Sequence, residues 1–180
     1  TIHLRINSPG GDVFDGRAMA TALRNHKAKV VAHIDGQACS AATYIALAAD
    51  EVEIADGGFF MIHNAWTMAM GNSGDLLETA ALLDKVDASI VADYQRKTGK
   101  SAEQIAQWMA DTTWFTAQEA VENGFADRIM EGQKAAKNQW NLDAYGNAPA
   151  ALMNKEEEPE AEFDRTALER RLSLLERIAL

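Results

Sequence analysis

The residue with the clearest potential for chemistry is Ser40, which stands where an apolar helix is predicted to begin. Its neighbours are all small: Ala38, Cys39, Ala41 and Ala42. Small neighbours leave room for a substrate carbonyl beside the hydroxyl, and a helix N-terminus adds positive potential where an oxyanion would develop. Serine is also a preferred N-cap residue, so without a partner base a capping role is the simpler interpretation.

A serine nucleophile needs a base, which is usually a histidine, and the sequence contains 4 of them. His3 and His33 lie inside predicted strands. His26 lies in the last turn of a predicted helix, where the helix dipole favours a cation without any catalysis. His63 follows the apolar run 58–62, where a predicted strand ends, and parallel α/β sheets place their sites at strand ends. By position His63 is the best candidate, although a lone histidine is more often structural.

The third member of such a site would be an acid that orients the histidine. The candidates are Asp111, Asp127, Glu119 and Glu122. Asp111 lies at a predicted helix end and Asp127 lies in a predicted strand. Composition alone does not choose between them.

A glycine-bearing turn, Ser8-Pro9-Gly10-Gly11, lies between the first predicted strand and helix. Glycines let the backbone approach a ligand closely, and their N–H groups can point at a negative atom. Acyl-transfer chemistry needs such donors for its oxyanion. On shape alone, an ordinary turn is the simpler interpretation.

The elements that must position these residues alternate along the chain. Strands are predicted over 2–6, 29–34, 51–54, 58–62 and 126–130, and helices over 13–25, 41–49, 76–97, 102–110 and 117–123. Residues 36–40 read as a tight connection. Strands that alternate with helices predict an α/β fold with a mostly parallel sheet covered by helices.

The chain is predicted to have three regions. A folded domain spans 1–131, a polar linker with an acidic run spans 132–162, and an amphipathic tail helix spans 163–180. Such a tail helix is marginal if isolated, so we expect it to dock on the body or, slightly preferred, to contact a partner. Because so little sequence precedes the first glycine turn, we expect a processed or truncated form that lacks earlier strands.

Charge and composition exclude several function classes. The 17 Lys and Arg against 27 Asp and Glu give a net charge of −10, which argues against nucleic-acid binding because phosphate contacts need clustered cations. No apolar run approaches the ~20 residues of a membrane span, and no signal peptide is recognised. The single cysteine, Cys39, excludes an intrachain disulfide and a cysteine-cluster zinc site. We therefore expect a cytoplasmic protein.

Four blocks in a fixed order make the sequence resemble the ClpP family of serine peptidases, and in particular the ClpP-related head maturation proteases of tailed phages and prophages. They are RINSPGGDV at 5–13, DGQACSAA at 35–42, MIHN at 61–64 and TWFTAQEAVENGFAD at 113–127. Each block alone is a weak signal, and the ordered set is a strong one. Residues 132–180 have no counterpart in the compact ClpP core.

The resemblance implies a role for individual residues. Ser40 matches the nucleophile, His63 the general base, and the N–H groups of Gly11 and Ala41 the oxyanion donors. Gly10, Gly11 and Val13 match the strand-like edge that pairs with an extended substrate. The family's acid falls at Thr113 here, so we expect Asp111, the nearest carboxylate, to be the third catalytic residue, with Thr113 as a weaker orienter. No metal or cofactor is implied.

The resemblance also implies an architecture and partners. The expected fold is the ClpP/crotonase type, with repeated ββα units, a protruding handle helix at 76–97 and, in this chain, the C-terminal tail helix. The expected assembly is a heptameric ring or stacked rings. Polypeptide substrates are implied, namely scaffold and capsid proteins in the phage-type relatives, in the host cytoplasm or the procapsid. A cellular enzyme would instead be fed by an AAA+ unfoldase.

Three alternatives remain open from the sequence. A catalytically inactive ClpP-like assembly protein is kept open by the threonine at position 113. A crotonase-like acyl-CoA enzyme shares the fold and the paired oxyanion amides, but it does not need Ser40 and His63. A serine–lysine dyad would need a lysine near Ser40, and Lys27, Lys29 and Lys85 are the candidates.

Overall fold

The computed structural model describes residues 1–130 of the chain, so the predicted linker 132–162 and tail helix 163–180 lie outside the described residues. The elements in chain order are β1 (Ile2–Ser8), α1 (Val13–Arg24), β2 (Val30–Cys39), α2 (Ala41–Ala46), β3 (Glu51–Ala55), β4 (Phe59–Ile62), α3 (Ser73–Thr98), α4 (Ala102–Ala110), β5 (Thr113–Thr116), α5 (Ala117–Glu122) and β6 (Arg128–Met130).

The strands form a mixed sheet in the order β5-β4-β2-β3-β6, with β1 also paired to β2. Every pairing is parallel except that of β4 with β5. The prediction of an α/β fold with a mostly parallel sheet is therefore confirmed. Within the described residues β3, β4 and α3 form one complete ββα unit, while β1–α1 and β2–α2 are simple strand–helix steps.

Strand β2 is the centre of the sheet and leads directly to Ser40. Its first half pairs with β3 over Val31–Ile34, and its last residues, Gln37 to Cys39, pair with β4. The sequence predicted a strand ending at residue 34 followed by a tight connection. The strand continues to Cys39 because β4 takes over as hydrogen-bonding partner where β3 ends.

Other elements also differ from the sequence prediction: α2 ends at Ala46 rather than 49, and β6 begins at Arg128 rather than 126. Strand β5 was not predicted, and it pairs antiparallel with β4 so that Ile62 lies opposite Thr113. Helix α3 begins at Ser73 rather than 76, because the side chains of Asn72 and Asp75 form a capping box at its N-terminus. It ends where Gly99 adopts a φ of 69°, the left-handed conformation that commonly terminates helices.

An aromatic cluster joins the helices to β4 and β5. It consists of Phe60, Tyr94, Trp108, Phe115 and Phe125, and Phe125 lies at its centre, with ring centroids 4.9 Å from both Phe60 and Phe115. This packing fixes α3 and α4 against β4, the strand that leads to His63. Among residues 1–130, no helix is both long enough and apolar enough to cross a membrane.

Candidate active site

Ser40 occupies a strained turn between β2 and α2. Its backbone has a φ of 53° and a ψ of −128°, and its side chain makes no capping hydrogen bond to α2. The Ser40 N–H donates to the carbonyl of Met61 at 2.9 Å, which ties the turn to β4. A non-glycine residue in this region costs on the order of 1–3 kcal/mol and persists where surrounding structure holds it. A sharp strand-to-helix turn of this kind exposes a serine hydroxyl.

Gly10 allows the first glycine turn to lie directly against the serine turn. A Cβ at Gly10 would come within 2.6 Å of both the Cys39 carbonyl oxygen and the Ser40 Cβ, and the residue has a φ of 97°. Both the space and the backbone conformation therefore require glycine. Gly11 follows and lines the same cleft as Ser40 and Ala41. The amide of Ala41 is the first in α2, a position that has no partner within a helix.

His63 follows the last residue of β4 and meets Ser40. Its Nε2 lies 2.8 Å from the Ser40 Oγ. The ring is half-buried, and burial lowers the pKa of His63 below its usual 6.5, so near neutral pH the imidazole is uncharged and can take a proton. The sequence therefore identified the two side chains that the structure brings together, and the strand end is what positions the histidine.

The segment after His63 is fastened to the C-terminal end of α4. The Asn64 N–H donates to the Met109 carbonyl at 3.2 Å. Asp111 is the C-cap of α4, and its carboxylate accepts a hydrogen bond from the Gln107 amide at 2.9 Å. Thr112 has a φ of 51°, so a second strained residue follows the predicted acid. The role of Asp111 at His63 stays a prediction.

Thr113 lies beside the strand that leads to His63 and is bonded to α4. Its backbone is paired with Ile62, the residue before His63. Its hydroxyl donates to the Trp108 carbonyl at 2.7 Å. A hydroxyl that donates its proton in this way still has lone pairs, so the Thr113 oxygen can still accept a hydrogen bond, as a weak orienter of His63 would have to.

The other acids considered from the sequence have bonds elsewhere in the fold. The Asp127 carboxylate accepts from the Val52 N–H at 2.7 Å and pairs with Lys97 at 3.1 Å. Glu119 closes the capping box at the start of α5. Glu122 accepts a hydrogen bond from Gln118 at 2.8 Å. These contacts give each of the three carboxylates a structural role away from His63.

The remaining histidines do not line the cleft that holds Ser40. Nδ1 of His3 lies 3.0 Å from Nε2 of His33, across the β1–β2 pair. His26 accepts from the Ala28 N–H at 3.0 Å.

Nor do the lysines considered for a serine–lysine dyad line this cleft. Lys29 pairs with Glu51 on β3, Lys27 lines a separate depression with His26, and Lys85 is exposed on α3. The described residues therefore offer Ser40 a histidine partner rather than a lysine.

A cleft of about 230 Å³ opens beside Ser40 and His63. Helix α3 forms an apolar wall through Leu83, Val86 and Ile90. The sequence interpretation considered α3 for assembly or for ordinary core packing and did not predict this wall, although residues 83, 86 and 90 follow the spacing of one helical face. The arrangement suits a polypeptide that places an apolar side chain in the cleft and its carbonyl at Ser40.

Val13 is the first residue of α1, where the sequence predicted a helix to begin, and α1 begins there because the Asp12 side chain accepts from the N–H groups of Phe14 and Asp15. The match of Val13 to a strand-like substrate edge stays a prediction. Val13 still lines the cleft. Gly10 and Gly11 lie outside the regular elements, and Gly11 lines the cleft.

Comparisons with known proteins agree with this geometry. The family model described as Clp protease matches residues 1–133. The chain is 33% identical over 145 residues to the ATP-dependent Clp protease proteolytic subunit of Streptococcus sanguinis, covering 72% of this chain and 68% of that protein. It is 31% identical over 147 residues to the protein of the same name from Streptococcus equi subsp. equi, covering 75% of this chain and 71% of that protein.

Proposed function

The chain belongs to the Clp protease family, and from that premise we propose that it is a serine endopeptidase that cleaves polypeptides through an acyl-enzyme. Ser40 is the proposed nucleophile and His63 the proposed general base. The observation that carries the proposal is the distance of 2.8 Å between Ser40 Oγ and His63 Nε2, at a strained turn that opens into an apolar cleft.

In the proposed reaction Ser40 Oγ attacks the scissile carbonyl carbon while His63 Nε2 takes the hydroxyl proton. The tetrahedral intermediate then breaks its C–N bond, and the imidazolium returns the proton to the leaving amine. Water, deprotonated by His63, attacks the resulting ester, and Ser40 leaves with its proton restored. Because burial lowers the pKa of His63, the ring is in the neutral form that both attacks require.

The proposed oxyanion donors are the N–H groups of Gly11 and Ala41. Both residues line the cleft beside Ser40, and Ala41 N is the first amide of α2. Each such donor contributes about 3 kcal/mol to stabilising the developing charge. Asp111 is the proposed third residue, holding His63 in the tautomer that leaves Nε2 unprotonated.

Covalent labelling with a fluorophosphonate probe tests the assignment. We expect the probe to modify Ser40 in the parent, read by peptide mass spectrometry, and to leave Ser40→Ala unmodified. His63→Ala should lose nearly all labelling, because the two residues act as a unit, whereas His26→Ala, which changes a histidine outside the cleft, should label like the parent. A Ser40→Ala protein that cleaves peptides as fast as the parent would end the assignment, and a folded parent that never labels would leave an inactive assembly protein.

The proposed substrates are extended polypeptides that pair with the backbone at Gly10 and Gly11. Backbone pairing recognises any sequence that can extend, so selectivity then comes from access to the site. The four motif blocks resemble phage head maturation proteases, and on that ground we propose scaffold and capsid proteins as substrates. The curated relatives are named ATP-dependent proteolytic subunits, so an AAA+ unfoldase is the competing source of substrate.

Cleavage of an unfolded protein such as casein in the absence of any ATPase separates these two routes. If casein is cleaved efficiently while a folded protein added in parallel stays intact, the result would support direct access of unstructured substrates to the site. Cleavage of short peptides alone, with casein left intact until an unfoldase is supplied, would favour the ATP-dependent route.

The proposed assembly is a homo-oligomeric ring, heptameric or stacked, with α3 as the handle. Support comes from the 26 residues of α3, of which only Ile90 and Tyr94 are fully buried, and from apolar side chains exposed on its first half. Native mass spectrometry reads the ring size directly.

A further inference from the structure

We infer that Thr43 and Tyr94 are positioning residues that hold the backbone of Ser40 for catalysis, an inference that rests on the proposed function. Neither residue touches the Ser40 hydroxyl. They act instead on the backbone of the same residue, at the Ser40 carbonyl, and they connect it to α3.

The contacts form a short hydrogen-bonded chain. The Thr43 hydroxyl lies 2.6 Å from the Ser40 carbonyl oxygen, which also accepts the Thr43 N–H at 2.9 Å. The Thr43 hydroxyl lies 2.7 Å from the Tyr94 hydroxyl. Because the single proton of Thr43 is donated to Ser40, Tyr94 must be the donor to Thr43. The direction of the chain is therefore fixed, from Tyr94 through Thr43 to Ser40.

Both side chains are buried, so the hydrogen bonds between them are stable and breaking them is costly. Thr43 is fully buried and Tyr94 is 2% exposed. Burial also raises the pKa of the Tyr94 phenol, so this group stays a donor throughout the neutral range. A buried hydroxyl that loses its partner is left unsatisfied, and water does not replace the missing bond.

The hydrogen bonds from Tyr94 through Thr43 matter because the backbone of Ser40 is strained. A φ of 53° is unfavourable for serine, and such a conformation persists only where its surroundings hold it. The Ser40 N–H is held by Met61, and the carbonyl is held by Thr43. Losing the hydroxyl bond leaves the carbonyl held by the Thr43 N–H alone, and this weaker hold lets the turn relax toward an ordinary helix N-cap, which rotates the Ser40 hydroxyl away from His63.

Helix α3 holds the base-bearing segment as well. Asp87, on the turns of α3 before Tyr94, accepts the Ala65 N–H at 2.7 Å. Tyr94 and Asp87 lie seven positions apart, a spacing that places them on one helical face. The same face of α3 therefore contacts both the nucleophile turn and the segment that follows His63.

The test measures how fast a fluorophosphonate probe modifies Ser40, with the maximal rate separated from the apparent affinity. We expect Thr43→Val and Tyr94→Phe each to lower the maximal rate by about tenfold or more with little change in affinity, since a misplacement of ~1 Å costs on the order of 100-fold. Thr43→Ser keeps the hydroxyl and should restore the rate. Thr21→Val removes a hydroxyl that makes the same kind of helix-backbone bond, to Arg17, and should react like the parent.

A double variant distinguishes positioning from a general loss of stability. The double variant should react no more slowly than Thr43→Val alone, because both changes break one chain, whereas independent stability losses would add. A maximal rate within twofold of the parent for Thr43→Val and Tyr94→Phe would overturn the inference.

Hydrogen exchange at the Thr43 amide tests, independently of catalysis, whether the hydrogen bonds from Tyr94 and Thr43 hold the Ser40 turn; this set of bonds is called the brace below. The exchange rate should rise by about tenfold or more in Tyr94→Phe, because local opening at the turn becomes easier. If the parent never labels but its slow exchange at Thr43 still becomes faster in Tyr94→Phe, the proposed function is refuted and the brace is supported. Unchanged exchange in Tyr94→Phe would refute the brace whether or not the parent is active.

Discussion

At the scale of single residues, the backbone of Ser40 has a strained conformation that its neighbours must stabilise. Its N–H is bonded to β4 and its carbonyl to Thr43, while Gly10 packs against the turn so closely that no Cβ fits. Each contact comes from a different element of the fold. The turn at Ser40 is therefore fixed by the tertiary structure, which is why its geometry could not be predicted from the sequence around it.

The buried setting of His63 predicts the pH dependence of the reaction. Burial lowers the pKa of His63 below 6.5, so the ring stays neutral, and able to accept a proton, at pH values where an exposed histidine is already charged. The value of kcat/KM for a fluorogenic peptide should fall on the acid side with a midpoint below 6.5, since this quantity reports the free enzyme. His26→Gln should leave the midpoint unchanged. A midpoint above 6.5 would contradict the assigned cause.

Gly10→Ala tests the close approach of the glycine turn. The new Cβ would meet the Cys39 carbonyl and Ser40 Cβ at 2.6 Å, where the backbone has a φ of 97°. We expect activity to fall by on the order of 100-fold, because a shift of ~1 Å at the nucleophile has that effect. Gly99→Ala is the matched control: it also has positive φ, but nothing lies within 4 Å of its Cβ, so it should lose ~1 kcal/mol of stability and keep its activity. Equal activities in the two variants would show that the contact at Gly10 is unimportant.

At the scale of elements, the sequence predicted what each segment encodes for itself. Helix α4 has the predicted bounds because its cap, Ser101, and its apolar face are local. The extension of β2 to Cys39 and the existence of β5 were missed because both depend on β4 as a partner. Likewise, the histidine at a strand end was predictable, while the bond of Thr43 to Tyr94 joins residues 51 positions apart and has no sequence signal.

Asp87 connects α3 to the segment that follows His63, and this element contact can be tested with a conservative pair of variants. Asp87→Ala removes the acceptor of the Ala65 N–H and should lower kcat several-fold by loosening the segment that follows His63, the proposed base. Asp87→Asn keeps an acceptor oxygen and should retain activity near that of the parent. Burial already raises the pKa of Asp87, so removing its charge does not by itself disfavour the fold. If Asn lowers kcat as much as Ala, the charge rather than the hydrogen bond is what matters.

The aromatic cluster predicts how strongly the helices are attached to β4. Phe125 is fully buried among Phe60, Phe115 and Tyr94, so Phe125→Ala should lower the free energy of unfolding by about 3–5 kcal/mol through lost burial and a residual cavity. Urea unfolding measures this, with an unchanged slope as evidence that the same surface unfolds. Phe59→Ala, on the more exposed side of β4, should cost less. A loss below ~1.5 kcal/mol for Phe125→Ala would mean that the site collapses to fill the space.

At the scale of the whole molecule, apolar surface is concentrated where α3 begins. Met68 and Met70 are 90% and 99% exposed, and Leu77 is 69% exposed. Surfaces of this kind on a folded domain mark contacts with other chains. The net charge of −10 keeps separate copies apart at long range, so burial of this surface has to supply the association energy in the proposed ring.

Leu77→Asp tests whether this surface holds the assembly together. Because Leu77 is exposed in the single chain, the substitution should leave thermal unfolding of the isolated domain nearly unchanged. An unpaired carboxylate placed in an apolar contact between chains costs several kcal/mol, and symmetry repeats that cost at every copy. Native mass spectrometry should therefore show smaller species for Leu77→Asp at concentrations where the parent is a ring. Glu78→Gln changes the charge by one unit in the opposite direction, at the neighbouring exposed position, and should assemble like the parent. If Leu77→Asp forms the same rings as the parent, the contact lies elsewhere on the molecule and α3 is not the handle.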